Sequence, residues 1–277
     1  MRSSVRAAAS RSTRTVARYS GVSDSHETRP RYRFSRRVAD YVRYRPRYPR
    51  ELLAWLSETI GFAPAWRVAD VGSGTGIFAE LLLENGNEVF AVEPNDGMRE
   101  EAEASLVHFP NFHSVNGTAE ATTLPDHCVN LVTAAQAFHW FNPAAARAEL
   151  QRILTGNGAV LVVFNTRVVD ANAFSRGYEE LLRSRAVDYT RVDHRLVDAA
   201  RLRAFLGDYH EWRQRWIKRH DVDGVVGLSA SSSYTPAPGH PAHDAFYTAL
   251  RELFAAHADN GQVEFLYETE AYLGRLS

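Results

Sequence analysis

The stretch that decides the fold is Val68-Ala69-Asp70-Val71-Gly72-Ser73-Gly74-Thr75-Gly76, followed about twenty residues later by Val92-Glu93. A β-prone run over 67–71 leads into a glycine turn, and the turn leads into apolar residues at helical spacing. A second predicted strand, 88–92, ends on the carboxylate of Glu93. This order is typical of a βαβ unit that binds a nucleoside, with the acid accepting hydrogen bonds from the ribose hydroxyls.

The glycine spacing distinguishes two classes of ligand. A dinucleotide turn reads G-x-G-x-x-G and would need a glycine where this chain has Ile77, so the pattern here is G-x-G-x-G. Asp70 suits a ligand with an ammonium group, whereas a pyrophosphate prefers bare amides without a nearby anion. S-adenosylmethionine carries an ammonium, a sulfonium and a ribose, so the pattern favours it over NAD and predicts methyl transfer. A glycine-rich turn without a nucleoside ligand is the simpler alternative.

Composition narrows the class of protein. At 277 residues, 45% hydrophobic and with a net charge of -1, the chain is long enough for one large domain or a domain with a cap. Its near-neutral balance does not favour nucleic acid as a partner. Cys128 is the only cysteine, which excludes an internal disulfide and a cysteine-based zinc site and fits a reducing, cytoplasmic compartment. No run approaches the ~18 apolar residues of a membrane span.

Residues 1–28 are predicted to lie outside the fold. Residues 1–20 are rich in Arg, Ser and Ala and contain no acid, a composition typical of a mitochondrial transit peptide. A disordered leader or an over-extended start codon would produce the same composition. A mitochondrial location is therefore the alternative to a cytoplasmic one.

Strand and helix patterns alternate through the first half of the chain. Strands are expected at 67–71, 88–92, 111–115, 128–134 and 158–164, and helices near 51–59, 77–85, 96–105 and 143–153. This alternation predicts a parallel sheet wound on both faces, with ligands at the carboxyl ends of its strands. The expected units are a cofactor-binding core at 29–164, a substrate cap inserted at 165–240, and a helix and strand at 241–277 that complete the core.

The core is expected to begin with a lid. Apolar and aromatic residues recur at helical spacing between arginines over 34–48, followed at once by an amphipathic helix. The mixture of basic and aromatic residues could form a nucleic-acid patch. A helix laid over the mouth of the ligand site explains so short a stretch better.

Four motifs carry a family resemblance. The runs at 70–76, 93–98, 117–120 and 135–141 resemble those of the class I S-adenosylmethionine-dependent methyltransferases. The nearest group is the small-molecule branch called the methyltransferase 11 domain family, which includes relatives of trans-aconitate methyltransferase, and the resemblance covers about residues 34 to 277. It implies an α/β fold: a Rossmann-like, doubly wound, seven-stranded sheet with an antiparallel final strand and an inserted helical cap.

The resemblance also implies S-adenosyl-L-methionine as cofactor, S-adenosyl-L-homocysteine as product, and a role for each matching residue. The methionine end would be held by Asp70, Gly72, Ser73 and Gly74. The ribose would be held by Glu93, and the adenine would be lined by Pro94, Met98, Thr118, Ala119 and Glu120. Gln136 would face the sulfonium. Asn130 departs from the family, which usually has an acid there.

The chemistry needs few side chains. Methyl transfer from a sulfonium is an in-line displacement, so alignment supplies much of the rate, and a base is needed only for a poorly acidic acceptor. His139 is the best candidate base because its pKa lies near neutrality. Alternatively, His139 and Trp140 only form the wall of the pocket.

A polar acceptor could be oriented by several residues: Tyr44, Arg45, Asn165, Arg167, Tyr178, His194 and Tyr234. Arg45 and Arg167 can each bind a carboxylate in a bidentate manner. Taken singly, each of these side chains more often has a surface or structural role. The histidines show no metal-ligand spacing, so no metal is expected.

The leading hypothesis is methyl transfer to O, N or C of a small molecule by a monomer or homodimer, with no nucleic acid or membrane as partner. A non-catalytic protein that binds S-adenosylmethionine is the alternative. An NAD-dependent oxidoreductase is a weaker one, because Ile77 and Asp70 both disfavour it.

Overall fold

Seven strands form one sheet in the computed structural model, which describes residues 44–187, 189 and 197–276. The strands are β1 (Arg67–Val71), β2 (Glu88–Val92), β3 (Phe112–Val115), β4 (Val129–Ala135), β5 (Leu154–Arg167), β6 (Tyr209–His220) and β7 (Val263–Gly274). Their order across the sheet is β3-β2-β1-β4-β5-β7-β6. The first five strands pair in parallel, and β7 runs antiparallel to β5 and β6.

Eight helices flank the sheet in the described part of the chain. They are α1 (Glu51–Ile60), α2 (Ile77–Glu84), α3 (Asp96–Leu106), α4 (Pro143–Ile153), α5 (Ala173–Arg185), α6 (Ala199–Leu206), α7 (Val222–Ala230) and α8 (His243–His257). The predicted fold class, a doubly wound α/β sheet with an antiparallel final strand, is confirmed. The expected leader at 1–28, the lid residues before Tyr44 and His194 lie outside the described residues.

Local sequence explains where the core elements begin. The side chain of Asn95 accepts a hydrogen bond from the Met98 amide at 3.0 Å and so caps the start of α3. Asn142 caps α4 in the same way, with Pro143 in the first turn. Asn130, where the family usually has an acid, accepts a bond from the Arg67 amide at 2.9 Å and ties β4 to the start of β1.

The segment 165–240 differs from the expectation of a purely helical cap. It contains α5, α6 and α7, but also β6, which pairs with β7 along its whole length. Arginines and glutamates of β6 and β7 form ion pairs across one face of this hairpin, among them Arg215 with Glu268 at 2.8 Å. A strand with a charged face does not show the hydrophobic signal of a buried strand, and this explains why the periodicity did not identify it.

The described residues form three apolar clusters. Two cover the faces of the parallel strands, as expected for a doubly wound sheet. The third is built from α5, α7, α8 and the β6–β7 hairpin, with Tyr178, Phe246 and Phe265 buried at its centre. This third cluster supports the elements that extend beyond the carboxyl ends of β4 and β5.

Among the described residues, no helix is both long and apolar enough to cross a membrane.

Candidate active site at the carboxyl edge of the sheet

The glycine turn after β1 comes close to the residues that follow β4. Gly72, Gly74 and Gly76 all have positive φ, at 71°, 58° and 83°, which glycine adopts without strain. A Cβ on Gly72 would lie 2.5 Å from the Cβ of Ala137. Only glycine therefore fits here, and the two loops meet between β1 and β4, where the strand order reverses.

Glu93, at the end of β2, closes one side of this turn. One carboxylate oxygen accepts the Gly74 amide at 2.9 Å, and the other accepts the Asn95 amide at 2.8 Å. Burial raises the pKa of Glu93, while these two amides and Arg99 act in the opposite direction. Two amide bonds leave lone pairs on both oxygens, so Glu93 can still accept hydrogen bonds from a diol.

Asp70 lies beneath the turn, inside the sheet. It is 1% exposed, and one of its oxygens accepts a bond from the Thr133 hydroxyl at 2.7 Å. Burial raises its pKa to about 7; the Thr133 bond opposes this shift, and the nearby charge of Glu93 adds to it. Asp70 does not line the cavity described below, in contrast to the expectation that it contacts the ligand directly, because its side chain points toward β4.

Gln136 marks the end of β4 with a strained backbone. Its φ is 56°, rare for a residue with a side chain, and its Nε2 donates to the Asn165 carbonyl at 2.8 Å. Asn165 in turn donates through Nδ2 to the Arg47 carbonyl at 3.2 Å and accepts the Thr269 hydroxyl at 2.5 Å. These bonds connect β4, β5 and β7 to the segment before α1.

A cavity of about 400 Å³ runs across this edge of the sheet, a volume within the usual range for small-molecule sites. Ten of the eleven residues predicted to bind the cofactor line it: Gly72, Ser73, Gly74, Glu93, Pro94, Met98, Thr118, Ala119, Glu120 and Gln136. Five residues predicted to bind substrate also line it: Arg45, Trp140, Asn165, Arg167 and Tyr178. The structure thus brings most of the predicted residues into one cavity.

Arg167 lies in the half of the cavity away from Glu93. Its Nη2 donates to Glu179 at 2.8 Å and to the Tyr189 hydroxyl at 3.2 Å. The guanidinium lies 4.6 Å from the centre of the Tyr178 ring. Arg45 enters the same half from the N-terminal segment, and its Nη2 contacts the Ser231 carbonyl at 3.3 Å and the Ser232 hydroxyl at 3.4 Å.

Three residues predicted to bind substrate do not line the cavity. Tyr44 packs on α7, where a Cβ on Gly227 would overlap its ring. Tyr234 stacks edge-on against Tyr189, with ring centres 4.9 Å apart. His139 lies in a short 3₁₀ turn (Phe138–Trp140) and contacts Trp140, which does line the cavity. This placement favours a structural role for His139, supporting Trp140 in the cavity wall, over a role as a catalytic base.

The cavity also has lining residues that the sequence did not indicate. On the acceptor side they are Tyr48, Leu228, Ser232 and Tyr267. Alternation in β7 places Tyr267 on the same face as Phe265, but no sequence pattern shows that this face meets α5 and β5. Among the described residues, no group of three or more His, Cys, Asp or Glu side chains could hold a metal ion.

Comparison with known proteins agrees with this geometry. Residues 69–162 match a family described as a methyltransferase domain. Two relatives, described as an uncharacterized methyltransferase and an uncharacterized methyltransferase-like protein, come from Mycobacterium tuberculosis and Schizosaccharomyces pombe. They are 41% identical over 134 residues and 35% over 135, and each match covers 48% of this chain and 52% of the relative. The chain thus spans about half the length of the curated relatives it matches.

Solved structures extend the similarity over most of the chain. A protein from Anaeromyxobacter dehalogenans, provisionally described as a type II methyltransferase, is 26% identical with a TM-score of 0.62. That match covers 84% of this chain and 98% of the other. The YcgJ protein of a Bacillus species, 21% identical with a TM-score of 0.51 over 82% and 99% of the two chains, shares the fold. By its sheet, its glycine turn and these matches, the chain contains a methyltransferase domain similar to those of the class I S-adenosylmethionine-dependent methyltransferases.

Proposed function

We propose that this protein transfers the methyl group of S-adenosylmethionine to a small-molecule acceptor. The observation that carries the proposal is the continuity of the cavity, which runs from the glycine turn and Glu93 to the aromatic residues and arginines beyond Gln136. A cofactor held at the first end would present its reactive group to a molecule held at the second. Two ends in one cavity suit a transferase better than a protein that only binds the cofactor.

The residues present fit the cofactor. Glu93 keeps acceptor lone pairs for the ribose, and Gly72 and Gly74 line the cavity without side chains that would fill it. Met98 and Pro94 offer apolar surface for the adenine ring. When bound, S-adenosylmethionine supplies a methyl group on a sulfonium, a leaving group that needs no proton.

The acceptor side of the cavity positions the acceptor relative to the methyl group. Trp140, Tyr178 and Tyr267 form apolar walls that exclude water, and the Gln136–Asn165 bond fixes the boundary between the two halves. In-line displacement depends on this alignment, for which effective molarities are large. Because His139 does not line the cavity, the proposal rests on alignment and does not require it as a base.

The test is calorimetric titration of the purified full chain with S-adenosylmethionine, S-adenosylhomocysteine and NAD. Micromolar binding of the first two and none of NAD is expected. In Glu93→Gln, the affinity for S-adenosylhomocysteine should fall about 10- to 100-fold, because the new NH₂ group faces a backbone N–H and one ribose acceptor is lost.

Glu88→Gln is the matched control for this variant. It makes the same change at the opposite end of β2, where Glu88 pairs with Arg67 on the surface at 3.0 Å. Its cofactor affinity should equal that of the wild type. Binding of NAD alone would refute the proposal, and unchanged affinity in Glu93→Gln would refute the assignment of Glu93 to the ribose.

A further inference from the structure

The two halves of the cavity differ in charge. The two acidic residues that line it in the described chain, Glu93 and Glu120, follow β2 and β3 at the cofactor end. The two basic lining residues, Arg45 and Arg167, stand at the other end with Tyr178, Leu228, Ser232 and Tyr267. A cationic cofactor suits the acidic cofactor end. The other end presents guanidinium groups to the methyl acceptor.

The protein does not use the full hydrogen-bonding capacity of Arg167. Both of its contacts, to Glu179 and Tyr189, come from Nη2, and its buried Nε–H has no acceptor within the described residues. An arginine fork carries five N–H donors in one plane, and buried donors are normally satisfied. The guanidinium therefore keeps donors to offer.

Nearby charges leave this end positive in the described chain. Glu179 faces two guanidiniums, Arg167 at 2.8 Å and Arg183 at 3.0 Å, so one carboxylate is shared between two cations. Behind Arg45, the ammonium of Lys218 donates to the Tyr44 carbonyl at 3.1 Å and to the Arg45 carbonyl at 3.3 Å. Among the described residues, no carboxylate lines this end of the cavity.

The remaining lining is aromatic and apolar. Trp140, Tyr178 and Tyr267 supply ring surface, and Leu228 an aliphatic one. The Tyr178 hydroxyl is hydrogen-bonded to the Ser229 hydroxyl at 2.8 Å, so its ring is held in place. Flat, partly apolar molecules pack well against such rings, and the two guanidiniums disfavour a positively charged amine.

From this arrangement we infer that the acceptor carries a carboxylate on an aromatic or unsaturated body, and that Arg45 and Arg167 bind that carboxylate. The inference rests on the proposed function and assigns the two arginines a role in substrate specificity. Guanidinium pairs with carboxylate through short, charge-assisted hydrogen bonds, and a water-poor aromatic pocket strengthens them.

The experiment uses the full chain saturated with S-adenosylhomocysteine at pH 7.5. It is titrated with trans-cinnamate and with cinnamamide, which has the same shape without the charge. Cinnamate should bind at least about 10-fold more tightly than the amide. In Arg45→Gln and in Arg167→Gln, cinnamate affinity should fall about 5- to 30-fold, with the weak affinity for the amide unchanged.

Arg219→Gln is the matched control, because Arg219 pairs with Glu264 on the outer face of the hairpin, away from the cavity. It should bind cinnamate as the wild type does. If Arg167→Gln does not fold, Arg45→Gln alone decides, since Arg45 is outside the Glu179 cluster.

Two outcomes overturn the inference: equal binding of acid and amide, or no binding of cinnamate by the cofactor-product complex. Both are distinct from failure of the proposed function, which would appear as no binding of S-adenosylhomocysteine in the preceding titration.

Discussion

The two ends of the cavity are built in different ways. The cofactor end is organised by backbone within residues 72–95: glycines with positive φ, and amides that are held by Glu93. The acceptor end is made of side chains from distant parts of the chain, as in the contact of Arg45 with Ser232. A backbone site tolerates few ligands and few substitutions, whereas a side-chain site can change its ligand by substitution.

The largest effect is expected at the cofactor end, from Gly72→Val. Its φ of 71° is strained for a β-branched residue, and its Cβ would overlap that of Ala137. Strain and overpacking together should lower the free energy of unfolding by about 3–5 kcal/mol, measured by urea denaturation, and abolish binding of S-adenosylhomocysteine.

Gly156→Val is the matched control for that change. A Cβ at this glycine of β5 would have no atom within 4 Å, and its φ is not positive. Its stability should stay within about 0.5 kcal/mol of the wild type, because it disturbs no packing. If Gly156→Val lowered the free energy of unfolding as much as Gly72→Val does, the loss could not be attributed to the positive φ and the close contact at Gly72.

The acceptor end should respond differently, through its ion pair. Arg167→Met leaves Glu179 buried beside an exposed Arg183, which should cost about 2–4 kcal/mol. The double variant Arg167→Met with Glu179→Met should regain more than half of that loss, because the buried carboxylate that lost its buried guanidinium is then removed as well.

Cofactor affinity sharpens this prediction. Because the pair lies beyond Gln136, both variants should bind S-adenosylhomocysteine within about threefold of the wild type. A loss of cofactor binding as large as that of Gly72→Val would mean that the two ends are not separate.

The same difference decided what could be predicted from the sequence. The cofactor end was predictable because each of its features is a pattern within a short stretch of sequence. These features are the glycine spacing, an acid at the end of β2, and alternating apolar runs. Ten of its predicted residues do line one cavity. The exception, Asp70, has the right position in the chain but points into the sheet, toward Thr133.

The acceptor end was only partly predictable. Arg45 and Arg167 were picked out for their chemistry, but no pattern shows that Tyr267 and Ser232 would join them, since these contacts depend on how α5, α7 and β7 pack. The strand β6 was missed because its exposed face is charged. His139 was placed in the correct loop, but a sequence does not show on which side of a 3₁₀ turn a ring will lie.

Asp70, which lies beneath the cofactor end, should make the stability of the protein depend on pH. Its pKa is raised to about 7 in the folded protein, so the native carboxyl keeps its proton at pH values where the unfolded one, near 3.8, has lost it. The folded state therefore binds more protons, and stability falls as pH rises from about 4 to 7. Relative to Asp70→Asn, the wild type should lose about 2 kcal/mol between pH 5 and 7.

Urea denaturation of both proteins at several pH values measures this difference, and other titrating groups cancel in it. Asp170→Asn, at an exposed turn, should track the wild type. A constant difference between wild type and Asp70→Asn across this range would mean that Asp70 titrates normally.

The smallest effect is expected where the two ends are joined, at Thr269. Its hydroxyl donates to Asn165 at 2.5 Å and accepts from the Trp216 indole at 2.9 Å, and its side chain is fully buried. Thr269→Val keeps the shape and removes both bonds, which should cost about 1–2 kcal/mol in urea denaturation, while Thr269→Ser should cost less. Since Asn165 also holds the Arg47 carbonyl, its loosening should weaken cinnamate binding before it affects S-adenosylhomocysteine. Equal weakening of both ligands would instead show that this link supports the whole cavity, and the division between a backbone end and a side-chain end would then apply to construction alone.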